Sequence, residues 1–285
     1  MDRLFADGTV NAAVSGKGPP LFLLHSLLSD RASFDAIVPD LSRTFRVIVP
    51  DMPGYGGSTK GLDRADPFGD CAQAMLALLD HLKIERTCVV GNSLGGACAL
   101  RMALDRPERI AGLVLMGPGG VDTTRSLPTQ GLKHLLDYYS GEGPTQEKLR
   151  VFIRDYLVYD GSQIPDNLIE ARFQASVDPA IIAKPPLVRP KGLPKFKLID
   201  FTRDPRLSSL QTPTLVLWGT EDRVNRPSGA QSLQRRMPNC DVYLFSRTGH
   251  CPRCSLKADL GVGAVAERLL GRGAAAAQPD LGLGR

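Results

Sequence analysis

The chain has 285 residues, enough to bury a large core as one sizeable domain or as a domain with an insertion. Its 42% hydrophobic and 23% charged residues are ordinary for a globular protein. Thirty-five basic against 30 acidic residues leave a mild net charge of +5, and no basic stripe is interleaved with aromatics, which argues against a nucleic-acid partner.

In chain order, the N-terminus carries Asp2 and Asp7 and lacks the apolar run of a signal peptide. Leu21-Phe22-Leu23-Leu24 is a short apolar strand candidate, followed by His25-Ser26-Leu27-Leu28. Phe34, Ile37, Val38 and Leu41 recur at helical spacing. A second strand, Phe45 to Val49, leads into Asp51-Met52-Pro53-Gly54-Tyr55-Gly56-Gly57, read as a turn. Asp70 to Leu82 is an amphipathic helix. Thr87-Cys88-Val89-Val90 is the third strand, and Gly96 to Leu104 reads as the next helix. Arg109 to Met116 is a further strand. Buried apolar strands alternating with helices predict a mostly parallel sheet flanked by helices on both faces, an α/β class.

That rhythm stops near Gly117-Pro118-Gly119-Gly120. Leu132 to Tyr139, Gln146 to Tyr159 and Asp166 to Val177 look helical without intervening strands, and Pro179 to Pro194 reads as loop. Within it, Lys184, Arg189, Lys191, Lys195 and Lys197 occur without an acid, a solvated loop or an attractor for an anionic substrate. Strands return at Thr214 to Trp218 and Asp241 to Phe245. The expected division is a core of residues 1–120 and 206–272, a helical lid of residues 121–205 over the strand ends, and a flexible tail of residues 273–285. No apolar run approaches the roughly 20 residues that span a membrane. Six cysteines in a chain this long do not make a disulfide framework, and Cys71, Cys88 and Cys98 fall in apolar patterns. The expectation is a reduced, cytoplasmic protein.

Gly91-Asn92-Ser93-Leu94-Gly95, placed between a strand and a helix, reads as a nucleophile elbow. A serine hydroxyl is a weak nucleophile at neutral pH and needs a base, itself oriented by an acceptor. Of the four histidines, His250 stands in a loop after the last strand, where a base belongs. His25 reads as a loop-holding residue, His81 as a helix-surface residue and His134 as structural. Asp222 lies just past the penultimate strand and leads over its neighbour Glu221. Asp51 is the other candidate, although its turn-forming role suffices. The order Ser93, Asp222, His250 is that of an α/β-hydrolase triad. Two N–H donors for an oxyanion would come from Leu94, at the helix N-terminus, and from Leu27, in a loop poor in glycine. Ser26 could add a hydroxyl. Cys251-Pro252-Arg253-Cys254 lacks the βαβ context or second ligand pair that a redox or zinc role needs, so Cys251 reads as a pocket-lining residue and no metal is expected.

Four motifs occur together and in order: Gly91-Asn92-Ser93-Leu94-Gly95-Gly96-Ala97, Leu115-Met116-Gly117-Pro118-Gly119-Gly120, Trp218-Gly219-x-x-Asp222-Arg223 and Phe245-Ser246-x-x-Gly249-His250. With them the chain resembles the meta-cleavage product hydrolases of the α/β-hydrolase superfamily over about residues 20–270. The resemblance implies a cytoplasmic, cofactor-free enzyme of bacterial aromatic breakdown, commonly a homo-oligomer. Its small-molecule substrate is a carboxylated dienone, a 2-hydroxy-6-oxo-dienoate cleaved at a carbon–carbon bond by water. It also implies that Asn92 contacts the dienoate end and that Arg172 grips the carboxylate, a role suited to a planar guanidinium. Two positions depart from the family pattern: Cys251 stands where Trp usually follows the histidine, and Ser26-Leu27-Leu28 replaces a glycine run. Leu132, Leu135, Tyr138, Phe152, Tyr156 and Phe173 are candidates either to line a pocket or to pack the lid itself. A carboxylesterase or enol-lactonase would use the same triad, and a receptor-like relative would keep it without turnover.

Overall fold

The computed structural model describes residues 2–5, 9–60, 66–124, 127–186 and 199–251. Strands β1 (Asp2–Phe5), β2 (Val10–Ser15) and β3 (Pro20–Leu24) are followed by α1 (Val38–Leu41), β4 (Arg46–Pro50) and α2 (Pro67–His81). Strand β5 (Thr87–Asn92) feeds α3 (Leu94–Asp105), then β6 (Ile110–Met116). Helices α4 (Gln130–Asp137), α5 (Gln146–Val151), α6 (Asp166–Ser176) and α7 (Pro179–Ala183) precede β7 (Thr214–Gly219), α8 (Ser228–Gln234) and β8 (Cys240–Phe245).

The strands form one eight-stranded sheet in the order β1-β2-β4-β3-β5-β6-β7-β8. Strand β2 pairs antiparallel with β1 and β4, and the remaining pairs are parallel. Alternation along the strands divides the core. Phe22, Leu24, Val89, Leu113, Leu115, Val216 and Trp218 face α2 and α3. Leu21, Leu23, Cys88, Val90, Val114, Met116 and Leu217 face Phe34 and Leu41. Both faces are dry, which explains why these strands read as continuous apolar runs.

The chain runs from β3 outward to β4 and then returns to the other side of β3 to make β5. The order therefore reverses between β3 and β5. In open α/β sheets the crevice beyond the strand ends at such a reversal is where ligands bind. Here it is flanked by His25, after β3, and Ser93, after β5.

Between β6 and β7 the described residues form helices and no strand, as the sequence pattern predicts. One helix changes pitch: α5 runs directly into a π-helical segment, Phe152–Leu157. The six apolar residues proposed above as pocket or packing all belong to a single cluster of this insertion. Leu28, Val224 and Cys251, from loops at the strand ends, join the same cluster and anchor it over them. Phe201 and Ile199 pack instead into the main core. Pro179–Ala183 is a short helix where loop is expected, with Asp178 capping Ala180 N. The basic residues from Arg189 to Lys197, the motif end Cys254 and the tail of residues 273–285 lie outside the described residues. No described helix is long and apolar enough to cross a membrane.

Candidate active site

Ser93 sits between the end of β5 and the start of α3 with φ 52° and ψ −108°. A non-glycine residue at such an angle stores about 1–3 kcal/mol of backbone strain. The turn is possible because its flanks carry no side chains. A Cβ on Gly91 would lie 2.2 Å from Gly95 O, and one on Gly95 would lie 2.2 Å from Leu24 O. Backbone bonds hold the turn from both sides, Ser93 N to Met116 O at 2.9 Å and Gly119 N to Ser93 O at 3.0 Å. Ser93 is 4% exposed.

The loops after β7 and β8 bring an acid and a base together. His250 Nδ1 and Asp222 Oδ2 are 2.8 Å apart, with both side chains buried. Asp222 Oδ2 also accepts from Trp218 Nε1 at 2.9 Å, and Oδ1 accepts from Val224 N at 2.8 Å and Asn225 N at 2.9 Å. Four donors thus fix the carboxylate, so it can orient His250 without rotating. His250 Nε2 is buried and has no hydrogen-bond partner among the described residues. A base must keep this nitrogen for the proton it will take, and such bonds often tighten only when substrate is bound. Gly117 separates the two halves of the site. Its φ is +47°, and a Cβ there would stand 3.3 Å from both Asp222 Oδ2 and His250 Nδ1.

The neighbouring candidates divide clearly. Glu221 turns away from His250 and accepts from Thr248 N at 2.9 Å and Thr220 Oγ1 at 2.7 Å, bracing the histidine loop. Asp51 is taken up by Asn11 Nδ2, Arg31 N and Gly57 N, as expected of a turn-former. His25 donates from Nδ1 to Ser26 O at 2.8 Å and accepts from Met52 N at Nε2, 2.9 Å. Those two bonds define a neutral tautomer that ties the loop after β3 to the loop after β4. Asn92 is held through its amide nitrogen. Its Nδ2 donates to Met116 O at 3.0 Å and to His250 O at 3.5 Å, so the amide fastens the elbow to the histidine loop. The amide nitrogen is thereby used inside the protein, and the dienoate contact that the resemblance implies would fall to Oδ1.

Leu94, the first helical residue, has an N–H that no intrahelical carbonyl can accept. Across the crevice runs the loop Ser26-Leu27-Leu28. Leu28 has φ +49°, a backbone state that glycine adopts without cost. Its side chain is buried in the insertion cluster. Burial of a leucine stabilises by about 1.5–3 kcal/mol, which offsets about 1–2 kcal/mol of left-handed strain. The glycine-poor loop is therefore viable because the insertion covers it. Ser26 is engaged through its carbonyl, which accepts the hydrogen bond from His25 Nδ1.

Next to this loop is a cavity of about 360 Å³ between the insertion and the loops after β3 and β4. Arg172 of α6 lines it together with Leu28, Asp30, Tyr55, Tyr139 and Ile181. Partial burial of the Arg172 guanidinium lowers its pKa, while the Asp30 carboxylate pulls the other way. It remains a cation across the physiological range.

An α/β hydrolase fold family matches residues 19–252. A 2-hydroxy-6-oxo-6-phenylhexa-2,4-dienoate hydrolase of Comamonas testosteroni is 31% identical over 255 residues, 87% of this chain and 87% of that protein. A 2-hydroxy-6-oxononadienedioate/2-hydroxy-6-oxononatrienedioate hydrolase of a Pseudomonas species is 35% identical over 218 residues, 72% of this chain and 71% of the other. The crystal structure of a meta-cleavage product hydrolase from Pseudomonas fluorescens superposes with a TM-score of 0.80 at 27% identity, covering 96% of this chain and 98% of that one. The chain belongs to the meta-cleavage product hydrolases of the α/β-hydrolase family.

Within this hydrolase, two residues brace the acid in ways the motifs do not state. Trp218 bonds the acid directly, and Asn225 Nδ2 bonds Gly117 O at 2.9 Å and Pro118 O at 3.3 Å, tying the acid loop to the strand before it. The sequence signal for Trp218 is that it is the only tryptophan, four residues before the acid. Cys251 lies in the insertion cluster, and other residues line the cavity beside Arg172. It is also disulfide-bonded, whereas Cys71, Cys88, Cys98 and Cys240 are free, so the expected fully reduced chain does not hold at this position.

Proposed function

We propose that this enzyme hydrolyses the C5–C6 bond of 2-hydroxy-6-oxo-hexa-2,4-dienoate-type ring-fission products in bacterial aromatic degradation, with Ser93, His250 and Asp222 as its triad. Family membership supplies the reaction class. The observation that carries the substrate assignment is Arg172 in the cavity beside the Leu27–Leu28 loop. Its guanidinium matches a carboxylate through two parallel charged hydrogen bonds. The dienol first tautomerises, gaining a proton at C5. His250, oriented by Asp222, then takes a proton from Ser93 or from water, and the oxygen adds to the C6 carbonyl. The N–H groups of Leu27 and Leu94 stabilise the oxyanion. Its collapse breaks C5–C6, and the bonding pair leaves with C5 as 2-hydroxypentadienoate. C6 departs as a carboxylic acid, directly or after hydrolysis of an acyl-Ser93.

The insertion of residues 121–205 acts as the lid of this site. The assignment further includes a cytoplasmic location, assembly into a dimer or larger homo-oligomer, and no cofactor. A carboxylesterase or enol-lactonase would need the same triad without Arg172, so paired substrates separate the readings. Loss of the yellow dienolate absorbance is followed for ring-fission products with alkyl, phenyl and larger C6 groups, beside hydrolysis of a simple aryl ester. The dienoates should be preferred. Ser93→Ala should cut turnover by about a thousandfold or more while ligand still binds. Arg172→Ala should lower dienoate kcat/KM several-fold more than ester kcat/KM, and equal losses would remove the carboxylate clamp.

A further inference from the structure

Tyr55 lines the same cavity from the loop after β4. It is 3% exposed, and its hydroxyl has no hydrogen-bond partner among the described residues. Two other hydroxyls of the lining, those of Tyr139 and Ser176, are satisfied. Tyr138 Oη and Ser176 Oγ are 2.6 Å apart, Ser176 Oγ donates to Phe173 O at 2.7 Å, and Tyr139 Oη donates to Ser176 O at 3.2 Å. A buried hydroxyl without a partner is destabilising, and a phenylalanine would avoid that cost at nearly the same volume. The ring itself is well fixed, edge-on to His25 with centroids 5.2 Å apart. Burial first, with Cys71 and Tyr139 adding to it, holds the phenol well above its ordinary range, so it remains a donor. The acid in the lining, Asp30, has Oδ1 engaged by Ala32 N at 2.9 Å.

We propose that the Tyr55 hydroxyl is a specificity-determining donor that reads the carboxylate end of the substrate alongside Arg172. The inference rests on the reading of Arg172 as the carboxylate's partner. An arginine supplies charge and a planar fork, and a neutral hydroxyl from the loop after β4 adds a third donor that favours a carboxylate over its ester. Tyr55 is thus a binding residue on the substrate's far side from the bond that breaks.

The test compares wild type and Tyr55→Phe on one dienoate as the free carboxylate and as its methyl ester, with thermal unfolding of both proteins. For the carboxylate, KM should rise about tenfold or more in the variant, the loss of a hydrogen bond to a charged group, with a smaller change in kcat. For the methyl ester the ratio of wild-type to variant kcat/KM should stay under about threefold. The variant's Tm should equal or exceed that of the wild type, since an unpaired hydroxyl has been removed. Equal ratios for both substrates, or a Tm lower by several degrees, would overturn the proposal while leaving the dienoate reading intact. Absence of dienoate turnover by the wild type would sink that reading and this inference with it.

Discussion

His25 shows how one side chain sets a condition on the whole site. Its two ring nitrogens bond Ser26 O and Met52 N, and only the neutral ring can do both. Burial lowers its pKa, with Ser26 O, Asp51 and Asp30 opposing and Arg172 adding to the fall. The unfolded chain takes up this proton near the ordinary value of about 6.5, whereas the folded protein takes it up only at lower pH. The stabilisation from neutral His25 is therefore complete above that value and is lost as pH falls below it. Thermal midpoints measured from pH 8 to pH 5 should decline below about 6.5, and His25→Gln should be less stable at pH 8 but decline less steeply. The elbow position of Ser93 and the pairing of Asp222 with His250 were legible from residue type, order and context. Tyr55 was not, because it reads as part of a turn and only the folded wall reveals that its hydroxyl lacks a partner. The anchoring of Asn92 was not legible for a related reason: a sequence gives an amide but not the carbonyls it will face.

The π-helical segment Phe152–Leu157 is the element on which the histidine loop rests. Cys251 N donates to Leu157 O at 3.2 Å, and Arg223 Nη1 donates to Asp155 O at 2.6 Å. Gly249 lies against its end, where an added Cβ would come within 2.7 Å of Val158 C and 2.8 Å of Tyr159 N. These are backbone atoms, so the loop would have to move. Gly249→Ala should cost about 1–3 kcal/mol in urea unfolding and lower kcat by displacing His250. A variant as stable and active as the wild type would show that the loop is not braced there. The helical spacing of this region announces a helix, yet π pitch depends on packing and leaves no clear periodic mark. Strand β2 was equally quiet, since Val10 and Ala12 face the core in a segment otherwise rich in small and polar residues.

At the scale of the molecule, the parallel order of the sheet made most of the fold readable, because strands buried on both faces are apolar throughout. The same order decides how the site is assembled. Ser93 belongs to the first part of the core, Asp222 and His250 to the part beyond the insertion, and the bond from Asn92 to His250 joins residues 158 apart in sequence. Closing so long a loop is entropically costly, so such contacts tend to form late. The chain's only tryptophan stands at that junction, 1% exposed and bonded to the acid at 2.9 Å. Its emission is thus a label-free optical signal for the region where the acid meets the base. Asp222→Ala should shift the native spectrum and Ser93→Ala should leave it in place. During refolding, the native emission should return together with activity, turning the enzyme into a fluorescent reporter of its own completion.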